Sequence, residues 1–300
     1  YTYIGVILGT GCNACYVEDI ENVSKWTVDR PTNKSKVIIN MEWGGFNSKN
    51  VPGLYNKFDE IIDTNEDYGA QRFEKQISGR YLGELARLAC YHLFQNEEIL
   101  FQNSLINSNN NNNNDVEELR KLILSVFGKS HHFLTPMMSK IQSGEANDVT
   151  KNPWLRAAAK AGVDLNGEYT EALCEGYLKQ EGVQMEDMRY HLNFWKLWST
   201  LDIYDRQIIH EVCDMVSTRA ARLSAAAIGA VVRKIHKEDS CTVAIDGSVF
   251  EHYPYFKQNM QIALLEMLGD KKQVKLELSP DGSGKGAALI AAIANVDSKL

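Results

Sequence analysis

An apolar strand that breaks into Gly9-Thr10-Gly11 and resumes within a few residues constrains this chain more than any other feature. Val6, Ile7 and Leu8 lead into the break, and Ala14, Cys15, Tyr16 and Val17 leave it. The pattern predicts a β-hairpin whose turn carries almost no side chain. Glycines at such a turn adopt conformations other residues resist and let the backbone approach a ligand closely. Its N–H groups, with the Thr10 hydroxyl, suit phosphate oxygens. Asn13, just past the turn, carries an amide that both donates to and accepts from hydroxyl groups. The competing reading is an ordinary Gly-rich turn with no ligand.

Composition narrows the classes. The apolar share of 44% and charged share of 24% in 300 residues are those of a soluble globular protein with a sizeable core. A net charge of −7 gives no general electrostatic case for nucleic acid or an anionic membrane. No uninterrupted apolar run approaches the roughly 18–20 residues that cross a bilayer, and no signal peptide is visible. The six cysteines are scattered, unlike a disulfide framework, which points to a reducing, cytoplasmic setting. Cys12 and Cys15 form a single C-x-x-C with no second pair, a poor zinc site and a poor redox pair. The chain opens at Tyr1, almost inside a strand, and is expected to be a fragment lacking something on its N-terminal side.

Strands are expected at 4–8, 14–18, 36–40, 241–246 and 274–278. Apolar spacing predicts helices over 71–95, 115–126, 205–237, 255–268 and 284–294, with a shorter one at 168–180. Gly79 and Gly83 interrupt the first of these helices, which points to close approach by a neighbour. The near-pure asparagine tract 107–114 is expected to be a disordered surface loop. The order of elements predicts an α/β fold, with helices on the faces of a sheet.

Chemistry-bearing residues sit at strand ends. Asp246-Gly247-Ser248 ends a strand and opens a helix. Asp281 to Gly286 is Gly-rich ahead of the last helix, yet Ser279 and Gly286 stand where a P-loop needs Gly and Ser or Thr. Glu42 follows a strand and precedes Gly44 and Gly45, and Glu74 opens a helix. A carboxylate accepting from two adjacent hydroxyls is the usual protein grip on a sugar, while a helix-start carboxylate satisfied by the helix dipole is the bland alternative for Glu74.

The segments at 7–18 (ILGTGCNACYVE), 39–46 (INMEWGGF), 72–85 (RFEKQISGRYLGEL), 133–139 (FLTPMMS), 217–232 (STRAARLSAAAIGAVV), 243–256 (VAIDGSVFEHYPYF) and 281–292 (DGSGKGAALIAA) follow one another as in the hexokinases. The chain resembles the large C-terminal domain of that family over residues 1–300, with insertions expected at 107–114 and about 144–183. The resemblance implies a ribonuclease-H-like, actin-like ATPase fold with a mixed sheet flanked by helices. It implies ATP-dependent phosphorylation of a hexose such as glucose at its 6-hydroxyl, with Mg2+ as cofactor. Asn13, Glu42 and Glu74 then correspond to sugar ligands. Thr10 and Gly11, Gly79 and Arg80, Thr135 and Ser139, Asp246, Gly247 and Ser248, and Gly282, Ser283 and Gly284 correspond to nucleotide-binding positions. The family's catalytic Asp, its sugar-binding Thr-Lys pair and its first phosphate turn belong to a small N-terminal domain with no counterpart in this chain, so the chain alone is expected to be inactive. A non-catalytic hexokinase-like sugar sensor is the alternative. No metal site on the protein, no nucleic-acid partner and no transmembrane segment are expected, and attachment to an organelle through a missing N-terminus stays open.

Overall fold

The structure, a computed structural model, describes residues 2–26, 35–95, 99–109, 113–148, 185–235, 240–269 and 273–297. Its contacts divide the chain into two units, one of residues 1–80 with 218–300 and one of residues 81–217.

The first unit is built on five strands: β1 (Thr2–Leu8), β2 (Cys12–Asp19), β3 (Lys36–Asn40), β4 (Ser240–Asp246) and β5 (Gln273–Leu278). They form one mixed sheet in the order β3-β2-β1-β4-β5. The β1–β2 hairpin predicted from the Gly-Thr-Gly break is present, with Leu8 opposite Cys12. β3 continues the antiparallel part, while β4 and β5 run parallel to β1. Strand alternation decides which face is core. Ile4, Val6 and Leu8, then Cys12, Ala14 and Tyr16, then Cys241, Val243 and Ile245 are all buried. The other face carries small and polar residues in register. Asn13, Ile7 and Asp246 form one row across β2, β1 and β4. Asn40, Cys15, Gly5, Ala244 and Glu277 form the next.

The helices follow in chain order as α1 (Lys57–Asn65), α2 (Glu74–Ile77), α3 (Gly79–Gln95), α4 (Gln102–Asn109), α5 (Asn113–Val126), α6 (Thr135–Gln142), α7 (Met185–Thr200), α8 (Ile203–Lys234), α9 (Ser248–His252), α10 (Phe256–Leu268) and α11 (Gly282–Asp297). The helix expected over 71–95 is two helices. The Gly79 N–H donates to Gly9 O at 2.7 Å and the Arg80 N–H to Thr10 O at 3.3 Å, so the hairpin turn captures donors that a continuous helix would use. Ser78 between them is extended, with ψ 153°.

In the second unit, a Cβ on Gly83 would lie 2.7 Å from the Thr135 nitrogen, which is the close approach expected there. The core of this unit is aromatic: Phe101, Phe127, Phe133 and Phe194 form a chain of ring contacts 5.1–5.6 Å apart, and Trp195 joins it at 4.7 Å.

Several expectations change. Asn107–Asn109 close α4, and Asn113 and Asn114 open α5, so on both sides the asparagine tract is helix rather than disordered loop. Asparagine is a poor helix former, but buried Leu105 and Leu119 anchor the two helices. Residues 110–112 lie outside the described residues, as do 149–184 with the helix expected at 168–180. The 32-residue α8 holds no uninterrupted apolar run of bilayer-crossing length, yet by length and composition alone it is long and apolar enough to cross a membrane. Half of that apolar stretch is buried within the fold, including Ala220, Ala221, Ala225 and Ile228, as in a core helix. Cys12 and Cys15, three apart on β2, project to opposite faces and cannot act as a pair. Both are free, as are Cys90, Cys213 and Cys241.

Candidate functional site

Thr10 is exposed at the tip of the β1–β2 turn, and Gly9 N–H donates to Gly11 O at 3.0 Å to close it. Other segments crowd against this turn. A Cβ at Gly79 would fall 3.0 Å from Gly9 O, and one at Gly247 would fall 2.7 Å from the Gly9 nitrogen. Gly247 also has φ +119°, a backbone region L-residues avoid. Three glycine segments distant in sequence thus meet backbone to backbone, which only the absence of side chains allows. Asp246, at the end of β4, accepts from both the N–H and the hydroxyl of Ser283 at 3.2 Å. That contact draws the first turn of α11, with Gly282, Ser283 and Gly284, to the end of β4.

Beside the turn the three carboxylate and amide candidates form two groups, Glu74 against Cys12 and Asn13 with Glu42; of the three only Asn13 lines the cavity over the sheet face. Glu74 Oε2 accepts from the Cys12 N–H at 2.8 Å, and a Cβ on Gly11 would come within 2.8 Å of that oxygen. Glu42 stands in the left-handed region at φ +49°, ψ +43°, a conformation that costs a non-glycine residue about 1 kcal/mol or more. Past the Cys15–Asn40 pair the Met41 N–H still donates to Ala14 O at 2.9 Å, and counting one step beyond that brings residue 42 opposite Asn13. Asn13 Nδ2 donates to Glu42 Oε1 at 3.2 Å and to Asn40 Oδ1 at 2.9 Å. Asn40 Nδ2 donates to Glu42 Oε1 at 2.6 Å.

A cavity of about 350 Å³ lies over this sheet face, lined by Gly5, Ile7, Asn13, Cys15, Asn40, Ala244 and Asp246, with Ser279, Gly282 and Ser283 on its other wall. A sugar-sized space therefore touches both the Asn13 group and the Asp246 group. Asn40 was not among the residues singled out from sequence. Its signal was its place at the end of β3, two residues before Glu42.

Arg80 is exposed, and its guanidinium lies 3.3 Å from Glu66 Oε2. Thr135 and Ser139 belong to the second unit. Thr135 begins α6, is buried, and its hydroxyl accepts from the Gly83 N–H at 2.9 Å. Ser139 lies half-buried one turn later.

Burial and the neighbouring Glu74 charge push the Cys12 thiol up to about 12, so it stays protonated against the turn. Among the described residues no three His, Cys, Asp or Glu side chains gather as a metal cage.

The family model described as Hexokinase matches residues 3–293. The chain belongs to the hexokinase family. It is similar to Hexokinase-7 of Oryza sativa subsp. japonica, at 33% identity over 297 residues that cover 96% of this chain and 52% of that protein. It is similar to Hexokinase-2 of Arabidopsis thaliana, at 31% identity, covering 96% of this chain and 48% of that protein. Among solved structures, the hexokinase from Schistosoma mansoni complexed with glucose superposes with a TM-score of 0.67 at 26% identity, over 97% of this chain and 53% of that one. The chain thus spans about half the length of these hexokinases. Its mixed sheet flanked by helices is the α/β architecture of the family.

Proposed function

We propose that this hexokinase-family chain supplies the sugar- and nucleotide-binding lobe of an ATP:hexose 6-phosphotransferase acting on a hexose such as glucose. The observation that carries this reading is the bond from the Cys12 N–H to Glu74, which ties a sugar-type carboxylate to the phosphate-type turn 9–11. The glucose held by the similar Schistosoma mansoni hexokinase supports the substrate class.

The residues fit a nucleotide. The close packing of Gly9, Gly79 and Gly247 leaves Thr10 exposed with no obstructing side chain from these segments, so its hydroxyl and the N–H groups at the tip of the turn would meet phosphate oxygens. Asp246 and Ser283 would hold the far end. Mg2+ prefers phosphate oxygens, waters and at most one or two carboxylates, so it would arrive on the nucleotide and neutralise charge on the transferred phosphoryl group. Asn13, Glu42 and Glu74 would fix the sugar through its hydroxyls, each charge-assisted bond contributing about 1.5–3 kcal/mol. Positioning of this kind accounts for much of the rate in phosphoryl transfer.

In the transfer, the 6-hydroxyl oxygen bonds to the γ-phosphorus, the bond from that phosphorus to the β–γ bridging oxygen breaks, and the hydroxyl proton passes to a carboxylate. The resemblance puts that carboxylate outside the segments matched here. Without it the rate should fall by about 10²–10⁴, so these 300 residues assayed by themselves should release no sugar phosphate.

The test is a coupled assay of the full-length gene product with glucose and Mg-ATP, beside calorimetric titration of glucose alone. Product formation supports the kinase reading. Glucose binding without product would leave a sugar sensor in its place, and neither binding nor product would overturn both.

A further inference from the structure

We propose that Asn40 is a positioning residue for the hexose, setting the hydrogen-bond polarity of Asn13 and Glu42; this rests on the sugar-binding reading above. The amide of Asn40 is used in both directions. Its Nδ2 donates to Glu42 Oε1 at 2.6 Å, and its Oδ1 accepts from Asn13 Nδ2 at 2.9 Å. Turning the amide over would set Asn40 Oδ1 against the Glu42 carboxylate, so the charge on Glu42 fixes which way Asn40 faces. Asn40 in turn fixes Asn13, whose Nδ2 spends its protons on Asn40 and Glu42 while its Oδ1 accepts from the Ala14 N–H at 2.7 Å.

On Asn13 and Glu42 the network leaves open Glu42 Oε2 and one lone pair of Asn13 Oδ1, while Asn40 keeps its second Nδ2 proton and one Oδ1 lone pair. The open groups of Asn13 and Glu42 are both acceptors. The pair therefore presents a surface that takes two donated protons, which suits adjacent hydroxyls. A general role in stability does not explain the arrangement. Asn40 and Glu42 are exposed, and hydrogen bonds at such positions are largely exchanged for bonds to water. The register puts Asn40 over the cavity face beside Cys15 rather than in the core.

The experiment uses the full-length protein with Asn40→Ala and Asn40→Asp, measuring glucose affinity by calorimetry and the glucose and ATP KM values. Asn40→Ala should raise the glucose Kd and KM about tenfold or more, with the ATP KM unchanged within about twofold. Asn40→Asp keeps the shape and the acceptor but opposes Glu42 with a second negative charge, so it should be worse than alanine. In a Glu42→Gln background, Asn40→Ala should cost less than about twofold, because its target is already altered. A merely structural asparagine would make the isosteric Asp the milder change and would move both KM values with the melting temperature. That outcome, or unchanged glucose affinity in Asn40→Ala, overturns the proposal while leaving the kinase reading in place. A wild-type protein that binds no hexose overturns both.

Discussion

The carboxylate of Glu74 and the backbone N–H of Cys12 lie 2.8 Å apart and are joined by a hydrogen bond spanning 62 positions of sequence. The bond fixes one oxygen of Glu74 at the root of the Gly-Thr-Gly turn. Helix α2, which begins at Glu74, is thereby held to the β1–β2 hairpin, and the Gly79 N–H reaches the same turn from its far side. Displacing the turn would therefore displace the carboxylate proposed to hold the sugar.

Glu74→Gln should retain the amide oxygen as acceptor for Cys12 while losing the charge. Glucose affinity of the full-length protein should fall by about 10- to 150-fold, the value of one charge-assisted hydrogen bond. Gly11→Ala should reproduce much of that loss from outside the sugar set, since its Cβ would come 2.8 Å from Glu74 Oε2. Titration calorimetry reads both variants, and a Gly11→Ala protein with wild-type affinity would show that the turn and Glu74 are not coupled.

Thiol reactivity reports the same pair. Burial and the Glu74 charge raise the Cys12 pKa to about 12, and burial likewise raises those of Cys90 and Cys213, so these three are thiols, not nucleophilic thiolates, at pH 8. Cys15 is half-buried on the opposite face of β2. Brief iodoacetamide labelling of the folded protein at pH 8, read by mass spectrometry, should modify Cys15 ahead of Cys12, Cys90 and Cys213. Because the raised pKa of Cys12 belongs to the folded state, its contribution is present below the unfolded value of about 8.5 and is lost as pH climbs towards 12. Stability should decline over that alkaline range, less steeply in a Cys12→Ser variant.

Much of this was legible in the sequence because strand alternation and glycine placement are local signals. The hairpin, the five strands and the close approaches at Gly79 and Gly83 follow from apolar periodicity and glycine placement, whereas the mixed sheet was implied by the family resemblance and the meeting of Gly9, Gly79 and Gly247 emerges only from the structure. What stayed hidden was set by tertiary partners. Helix α1 is only nine residues long and rests on Asn56 and Asp59 capping one another, with Arg219 arriving 160 positions later to pair with Asp59. The break at Ser78 comes from donors taken by the turn, which no window of 71–95 contains. Asn40 was overlooked because a lone asparagine at a strand end signals nothing until Asn13 and Glu42 are placed beside it.

In the second unit Glu84 is a buried carboxylate whose partners decide its acid behaviour. Burial alone would raise its pKa, but hydrogen bonds from Arg87 Nε and Nη2 at 2.7 Å, from the His131 N–H at 2.7 Å and from Ser130 Oγ at 2.9 Å outweigh that, and the pKa is lowered from 4.5. A lowered folded-state pKa contributes stability that is present above the unfolded value and is lost as pH falls through the folded one. The melting temperature of Glu84→Gln should therefore fall less between pH 5 and pH 3 than that of the parent. Arg87→Met leaves the buried carboxylate unpaired and should cost about 3–5 kcal/mol at pH 7. Circular dichroism melts at the two pH values check both, and equal acid sensitivity of parent and Glu84→Gln would rule out this residue as a contributor.

Gly247 and Gly286 provide a matched pair, one packed against backbone and one in open space. Gly247 has φ +119° and would place a Cβ 2.7 Å from the Gly9 nitrogen, with Leu8 closer still, so an alanine there meets strained backbone and rigid backbone neighbours together. Those neighbours are main-chain atoms of β1 and cannot rotate away, so the hairpin itself must shift. Gly247→Ala should destabilise the protein by about 2 kcal/mol or more and should weaken ATP binding beyond what the stability loss explains, because the turn carrying Thr10 moves with β1. Gly286 lies inside α11 with open space where a Cβ would stand. There alanine removes only the conformational freedom of glycine, so Gly286→Ala should stabilise by about 0.5–1 kcal/mol with ATP affinity unchanged. Denaturant melts and nucleotide titration of the full-length variants distinguish the positions. Equal, mild effects at both would mean that the meeting of Gly9 with Gly247 is not the constraint that shapes this surface.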